Sequence, residues 1–558
     1  MLKKLLAGAS LIGILVSVQP AQAIVDPRQT PNNRVGIHVL EQEDLKPAAQ
    51  LVNTNGDWGY VTVVIRLNDL NQEKWQAIFD EMRRRHLIPI VRLATTPENS
   101  HWVKPKSEDI DRWVEFLSSL NWVIQNRYVV LFNEPNHAKE WGNEIKPNEY
   151  AAIVKEFQAK LKAASTDWFI LPAGLDTAAP NSKDTMTASE YWRQMYLTDP
   201  EVFQLFDGWN SHSYPNPGFS GPVSGTGWGS LRSYLAEINY LSRFGLPGNL
   251  PIFITETGWV NTSGDLANLY TLAFNQVWQQ ADLVAVTPFV LNYPQVPFKQ
   301  FSWMGTPHYE AVAQLRKISG RPEQINSSEL IDQNLPDEVV TSSDYRFFLE
   351  FTNTGQSIWE RENFSLQITS SLQAESFFAG HLGTTEPGQS AKVDFNLKTP
   401  DSSVGAEPIN LELQLSFKGQ PFGEAIAKTI TIVPPPEVIL SAKLLFKVGG
   451  LQDQYRLLVY DSVNNLLQEN LVDFNLGRSE PIKLYNLVPK QAYRLVLLKP
   501  YYLPRQTWVV LNKETNQVSF KTLLPFDFDQ SGHLSLVDFW AWLLLPLNYL
   551  RFGLKLGN

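Results

Sequence analysis

Eight short apolar runs alternate with longer amphipathic segments between residues 33 and 325. The runs have the length of buried strands, and the segments between them place apolar residues at helical spacing. Eight strand–helix units in fewer than 300 residues predict a closed (β/α)₈ barrel, the TIM-barrel fold, rather than an open doubly wound sheet. No G-x-G-x-x-G follows the first run, which disfavours a dinucleotide-binding fold. The predicted strands are Val35–His38, Val61–Arg66, Ile88–Arg92, Tyr128–Asn133, Trp168–Leu171, Phe206–Asn210, Pro251–Thr255 and Val284–Val290.

Two of the predicted strands end in a carboxylate. The fourth run continues directly into Glu134, and the seventh run continues into Glu256. The carboxyl ends of all strands of such a barrel meet on one face, where the active site lies. Two carboxylates on that face are typical of acid/base and nucleophilic chemistry at a glycosidic bond.

The chain changes character after Arg321, where helical periodicity stops and short alternating strands with turn residues begin. We expect two all-β sandwich modules, at 332–433 and 437–522, separated by the stiff linker Pro434–Pro436. The predicted fold class is therefore multidomain, with an α/β barrel at 33–325, two β-sandwiches, and a short C-terminal segment at 525–558.

The C-terminal segment carries oxygen-bearing residues at the spacing of an EF-hand calcium loop. Gly532 occupies the sixth position, where such a loop turns sharply. We expect calcium ligands from six residues: Asp527, Asp529, Ser531, His533 through its carbonyl, Ser535 and Asp538. A solvated acidic turn is the alternative. The apolar run Phe539–Leu550 contains Pro546 and predicts a packed helix rather than a membrane span.

Residues 1–23 have the pattern of a secretory signal peptide. Lys3 and Lys4 precede the apolar run Leu5–Val18, and Ala21–Ala23 supplies a small-residue cleavage site. We therefore expect a secreted or cell-surface protein. Its net charge of −10 disfavours a nucleic-acid partner, and because it has no Cys it has no disulfide.

The region 33–325 resembles the clan A glycoside hydrolases, retaining (β/α)₈ enzymes that carry Asn-Glu after strand four and Glu after strand seven. Asn133-Glu134 and Glu256 match in residue type and in strand number. The resemblance implies that Glu134 is the acid/base, that Glu256 is the nucleophile, and that Asn133 binds the sugar 2-hydroxyl. It implies no cofactor for catalysis.

Four further residues match that family by position. His212 and Tyr214 form the His-x-Tyr pair of the sixth strand, in which the Tyr hydroxyl contacts the nucleophile. Arg66, at the end of the second strand, is expected beside the nucleophile, where it would keep it ionised. Trp303 is expected as the aromatic platform beneath the sugar. Weaker candidates near the same face are His38, Arg92, His101, Trp58, Trp102, Trp141, Trp228 and Trp259.

The C-terminal modules show two shorter resemblances. Asn353-Thr354-Gly355 with Trp359 resembles immunoglobulin-like modules of bacterial extracellular proteins, and the loop 527–538 resembles a single dockerin repeat. These imply attachment to a cell surface or scaffold.

Together the patterns and the resemblance predict a secreted retaining glycoside hydrolase that cleaves β-glycosidic bonds of oligo- or polysaccharides by double displacement. The alternatives are a surface carbohydrate-binding or adhesion protein with a non-catalytic barrel, and a transglycosylase.

Overall fold

The structure, a computed structural model, describes residues 24–31, 34–317, 320–371, 377–380, 382–401, 408–448, 454–543 and 554–556. The predicted signal peptide lies outside these residues. The chain divides into two compact units. One ends at Ile325 and includes Gly355–Ile358, and the other comprises Asn326–Thr354 and the chain from Trp359 onward.

The first unit contains eight parallel strands, each followed by a helix. The strands are β1 Gly36–His38, β2 Gly59–Arg66, β3 Leu87–Ala94, β4 Arg127–Leu131, β5 Trp168–Pro172, β6 Trp209–His212, β7 Ile252–Glu256 and β8 Leu283–Val286. The helices are α1 Leu45–Asn53, α2 Gln72–Arg84, α3 Ile110–Ser119, α4 Pro147–Ala164, α5 Ala188–Thr198, α6 Ser233–Leu241, α7 Leu266–Leu272 and α8 Pro307–Ala313. A two-residue hairpin, Pro97–Glu98 with His101–Trp102, follows β3.

The strands close into a barrel. Strands β1 to β5 form one parallel sheet in chain order, and β6 to β8 form another. A parallel bridge between Val35 and Val286 joins the start of β1 to β8, where the Val286 N–H donates to the Arg34 carbonyl at 2.9 Å. A second parallel bridge, between Asp176 and His212, joins the chain after β5 to β6. The predicted (β/α)₈ barrel is therefore confirmed.

Local sequence explains the elements. The strands consist largely of Val, Ile and Leu that are buried on both faces, as a parallel sheet covered by helices requires. Helix α2 begins where the Asn71 side chain accepts from the Lys74 N–H at 2.9 Å, and α8 begins with Thr306 as its cap and Pro307 as its first residue. Each helix packs its apolar side on the strands, so the barrel strands and helices share one core.

Two strands differ from the sequence prediction by three or more residues at one end. Strand β6 begins at Trp209, three residues later than expected, because the Asp207 carboxylate turns the chain by accepting from the Ile170 N–H at 2.8 Å. Strand β8 ends at Val286, since Pro288 has no N–H to continue the ladder.

The second unit contains two pairs of facing sheets. The first pair has strands in the orders Ser328–Gln333, Asp344–Asn353, Ser390–Lys398, Phe377–Ala379 and Glu338–Val340, Gln420–Val433, Ile409–Phe417, Phe364–Ser370. The second pair has the orders Phe474–Asn475, Arg478–Ser479, Glu437–Ser441, Ile482–Lys483 and Leu466–Val472, Tyr455–Tyr460, Ala492–Lys499, Tyr502–Val510, with Asn516–Ser519 beside Glu437–Ser441. Each pair encloses its own hydrophobic core. The strands Phe446–Val448 and Leu554–Leu556 form a separate two-stranded sheet.

Helix α9, Leu536–Leu543, follows the acidic loop of the C-terminal segment. Across the described parts of the chain, no helix is both long enough and apolar enough to cross a bilayer. The end of the predicted terminal helix, residues 544–550, lies outside the described residues.

Candidate active site

Glu134 and Glu256 lie together at the carboxyl end of the barrel. Glu256 is the last residue of β7, and Glu134 follows the end of β4 by three residues. A carboxylate oxygen of Glu134, a carboxylate oxygen of Glu256 and a ring nitrogen of His212 all lie within 4.8 Å of one another. Both carboxyl groups line a cavity of about 300 Å³.

The backbone after β4 directs Glu134 into this cavity. Phe132 and Glu134 have φ angles of 72° and 30°, in the left-handed region that side chains other than Gly rarely adopt. The Glu134 N–H donates to the Gly174 carbonyl at 3.1 Å, and the Glu134 carbonyl accepts from the His137 N–H at 2.8 Å. These two bonds hold the strained turn in place, as is typical of active-site segments.

His212 connects the two carboxylates. Its Nδ1 lies 2.9 Å from Oε1 of Glu134 and 3.8 Å from Oε2 of Glu256, and the side chain is fully buried. Burial disfavours the imidazolium, but the charges of Glu256 and Glu134 outweigh burial and raise the pKa of His212. The Nδ1–H therefore donates to Glu134 Oε1.

Glu256 is surrounded by groups that favour its ionised form. Arg92 donates from Nη1 to Oε1 of Glu256, and Tyr214 donates from its hydroxyl to Oε2 at 3.1 Å. Nε2 of the buried His38 lies 3.9 Å from Oε1. Burial opposes ionisation, but His212 and Arg92 outweigh it and hold the pKa of Glu256 at about 2. Glu256 is therefore ionised at neutral pH.

Asn133 lies beside this pair. Its Oδ1 accepts from Arg92 Nη1 at 2.6 Å, so one guanidinium contacts both Asn133 and Glu256. The structure thus brings together five of the seven residues that the sequence nominated for the barrel site: Asn133, Glu134, His212, Tyr214 and Glu256.

The guanidinium beside Glu256 belongs to Arg92, and the expectation for Arg66 is wrong. Arg92 is level with Val64 in the β2–β3 register, so Arg66 lies two residues, about 7 Å, further toward the rim. There the Arg66 side chain is exposed and lies over the ring of Trp102, at 5.7 Å from its centroid.

The expectation for Trp303 as a sugar platform is also wrong. Trp303 is only 1% exposed, because it packs against Tyr270 at 4.3 Å and His308 at 4.9 Å between ring centroids. Phe289, three residues after β8, lines the cavity instead and contacts His38 edge-on. The position of Phe289 close to the end of β8 was the sequence signal that could have identified it as a cavity residue.

The cavity lining combines aromatic rings with polar side chains. Five of the aromatic residues are Phe219, Phe289, Phe298, Phe301 and Tyr214. The rest of the lining includes Trp102, Asn133, Glu134, His137, Lys139, Glu140 and Asp176. Aromatic faces and convergent polar groups together suit a sugar, which has apolar C–H faces and a rim of hydroxyls.

Of the five Trp residues proposed for the cleft, Trp102 lines the cavity. Trp58, Trp141 and Trp259 are buried in the barrel core. Trp228 is 42% exposed and lies near Trp192 and Tyr240.

The sequence did not reveal a His–Asp pair in the cavity. His137 Nε2 lies 3.0 Å from Oδ2 of Asp176. Burial opposes both charges, but the hydrogen bond between them raises the pKa of His137 and lowers that of Asp176. Asp176 follows β5 by four residues, so its place at a strand end was the signal that could have identified it.

The acidic loop 527–538 forms a second cluster. Carboxylate oxygens of Asp527, Asp529 and Asp538 lie within 4.8 Å of one another, and Gly532 has a φ of 82°. Burial and the charges of the other two carboxylates raise the pKa of Asp527, although backbone bonding from Gly532 lowers it. Three converging carboxylates and a sharp turn at the sixth position fit a calcium ion.

No protein-family model and no curated protein sequence matches this chain. Among solved structures, it is similar to an endo-β-1,4-glucanase from Xanthomonas axonopodis pv. citri, with 13% identity, a TM-score of 0.35, and 50% of this chain and 97% of that chain covered. It is also similar to a hyperthermostable endo-1,4-β-D-mannanase from Thermotoga petrophila RKU-1, with 10% identity, a TM-score of 0.32, and coverages of 50% and 98%. Sequence identities and TM-scores this low give no information about the reaction of this chain.

Proposed function

We propose that the barrel hydrolyses β-glycosidic bonds with retention of configuration, with Glu134 as acid/base and Glu256 as nucleophile. The observation that supports this most directly is the distance of at most 4.8 Å between oxygens of Glu134 and Glu256. Retaining glycosidases hold their carboxyl groups about 5–5.5 Å apart, whereas inverting enzymes keep about 6.5–9.5 Å for a water molecule.

In the first step Glu134 gives its proton to the glycosidic oxygen. The bond between this oxygen and the anomeric carbon breaks, its electron pair leaves with the alcohol, and a Glu256 oxygen bonds to the anomeric carbon. The bond from His212 to Oε1 leaves the other oxygen of Glu134 to carry the transferred proton. The low pKa of Glu256 keeps the nucleophile ionised at neutral pH.

In the second step a water molecule gives a proton to Glu134, and its oxygen attacks the anomeric carbon. The bond to Glu256 breaks, and Glu256 regains its negative charge. Arg92 and Tyr214 stabilise that charge through their contacts with the two oxygens. The amide of Asn133 lies next to this centre and would bind the sugar 2-hydroxyl, an interaction that strengthens in the transition state.

The test is release of reducing sugar from β-linked glucans, mannans and xylans, together with turnover of aryl β-glycosides. We expect Glu134→Gln and Glu256→Gln to lower turnover of the best natural substrate by at least about a thousandfold. Glu144→Gln is a matched control, because Glu144 is an exposed carboxylate that pairs with Lys104 outside the cavity. Binding of glycans without turnover would favour an adhesion protein. Products longer than the substrate would favour a transglycosylase.

We also propose that the loop 527–538 binds one calcium ion with a structural role. Asp527, Asp529 and Asp538 would supply carboxylate oxygens, and Ser531, Ser535 and the His533 carbonyl are the further oxygens at ligand positions. The ion would relieve the repulsion among the three carboxylates.

A further inference from the structure

Glu140 is a third carboxyl group in the cavity, and the proposed reaction steps give it no role. It ends a short 3₁₀ helix, Ala138–Glu140, in the loop after β4. Its side chain is only 9% exposed, although it lines the same cavity as Glu134. Burial and the nearby Glu134 carboxylate raise the pKa of Glu140. Burying a carboxyl group costs folding free energy unless a partner forms a hydrogen bond with it.

That partner is the amide of Asn133. Asn133 Nδ2 donates to Glu140 Oε2 at 3.2 Å, while Asn133 Oδ1 accepts from Arg92 Nη1 at 2.6 Å. A guanidinium only donates and a carboxylate only accepts, so one orientation of the amide satisfies both neighbours. The cation that pairs with Glu140, Lys139 Nζ, is 3.9 Å from Oε1 on a side chain that is 59% exposed. The Asn133 bond is the closer of these two contacts.

The contacts form one chain through the site. Glu256 contacts Arg92, Arg92 contacts Asn133, and Asn133 contacts Glu140. Of the two N–H groups on the Asn133 amide, one is taken by Glu140, and the other remains for a ligand in the cavity. If the Glu140 carboxylate were removed, the Asn133 amide nitrogen would lose the charged acceptor that fixes its orientation.

We propose that Glu140 is a positioning residue that fixes the Asn133 amide so that its second N–H meets the sugar 2-hydroxyl. This role depends on the proposed glycosidase function. Because it acts through one hydroxyl group, removing the Glu140 acceptor lowers the enzyme's preference for a substrate with that hydroxyl over its 2-deoxy analogue. A residue with a merely structural role would affect both substrates equally.

The experiment compares Glu140→Leu, which keeps the bulk and removes the acceptor, with Glu140→Gln, which keeps both bulk and acceptor. The substrates are the aryl β-glycoside that the wild type turns over fastest and its 2-deoxy analogue. We expect the ratio of kcat/KM between them to fall about tenfold in Glu140→Leu. In Glu140→Gln and in the distant control Glu144→Gln, the ratio should stay within about threefold of the wild type. Melting temperatures verify that each variant is folded.

An unchanged ratio in folded Glu140→Leu, with an active wild type, would overturn the positioning role and leave the glycosidase function intact. If Glu140→Leu did not fold, the ratio would be measured in Glu140→Met, whose thioether is at most a weak acceptor, with the same expected and contrary results. Absence of wild-type turnover on every glycoside would refute the proposed function, and the role of Glu140 with it.

Discussion

Gly174 lies directly against the imidazole of His212. A Cβ at position 174 would come within 2.1 Å of His212 Cδ2 and within 2.6 Å of Nε2. The Gly174 carbonyl also accepts from the Glu134 N–H at 3.1 Å. One small residue after β5 therefore sets the positions of both Glu134 and the imidazole that contacts it.

Gly174→Ala should displace His212 and weaken its bond to Glu134. We expect kcat/KM to fall by about 10- to 100-fold, with a loss of about 1–3 kcal/mol in the free energy of unfolding. Gly248→Ala is the matched control, because a Cβ there meets no atom within 4 Å. Wild-type activity in Gly174→Ala would show that the position of His212 does not matter.

Arg66 and Arg92, which lie near the ends of adjacent strands, should behave differently when substituted. Arg92→Gln removes a cation from Glu256, so the pKa of this carboxylate should rise and kcat/KM should fall by about 100-fold at neutral pH. Because the nucleophile must be ionised, the acidic limb of the pH profile should move to higher pH by about 1–2 units. Arg66→Gln removes a contact with Trp102 and should cost no more than about fivefold. If Arg66→Gln lost more activity than Arg92→Gln, Arg66 would be the arginine that supports Glu256, as the sequence predicted.

The barrel and its two carboxylates could be predicted from the sequence because their signals are contiguous. Most strands are short apolar runs, and Glu134 and Glu256 directly follow such runs. Which residues contact the two carboxylates depends on the register between neighbouring strands, and short apolar runs do not specify that register. Arg66 and Arg92 both lie near strand ends, but only the pairing of Val64 with Arg92 shows that Arg92 lies deeper in the barrel than Arg66. At that depth Arg92 contacts Glu256.

The sequence also could not show which side chains of the loops are buried in the core and which line the cavity. Trp303 and Phe289 are both aromatic residues after β8, and the resemblance to the clan A enzymes favoured Trp303 as a sugar platform. The fold packs Trp303 against Tyr270 and leaves Phe289 to line the cavity. His137 and Asp176 lie on loops after different strands, so their pairing appears only in three dimensions. The bend that brings Glu140 back to Asn133 on the first of these loops has no sequence signal either.

Calcium should bind at the loop 527–538 and raise the melting temperature of the C-terminal segment, since a ligand that binds only the folded state stabilises it. Isothermal titration calorimetry should detect uptake by the full chain and none by Asp527→Asn with Asp529→Asn. Turnover in the barrel should be unaffected by EDTA, because His212 and Arg92 already balance the charge of Glu256. Equal calcium uptake by the double variant would contradict this site.

The most direct test of the account is the configuration of the first product. The wild type is mixed with a β-glycoside that it cleaves, and proton NMR follows the anomeric signals before mutarotation mixes them. With oxygens of Glu134 and Glu256 within 4.8 Å of each other, the account predicts that the β anomer appears first. Initial release of the α anomer would mean inversion and would contradict the assignment of Glu256 as the nucleophile.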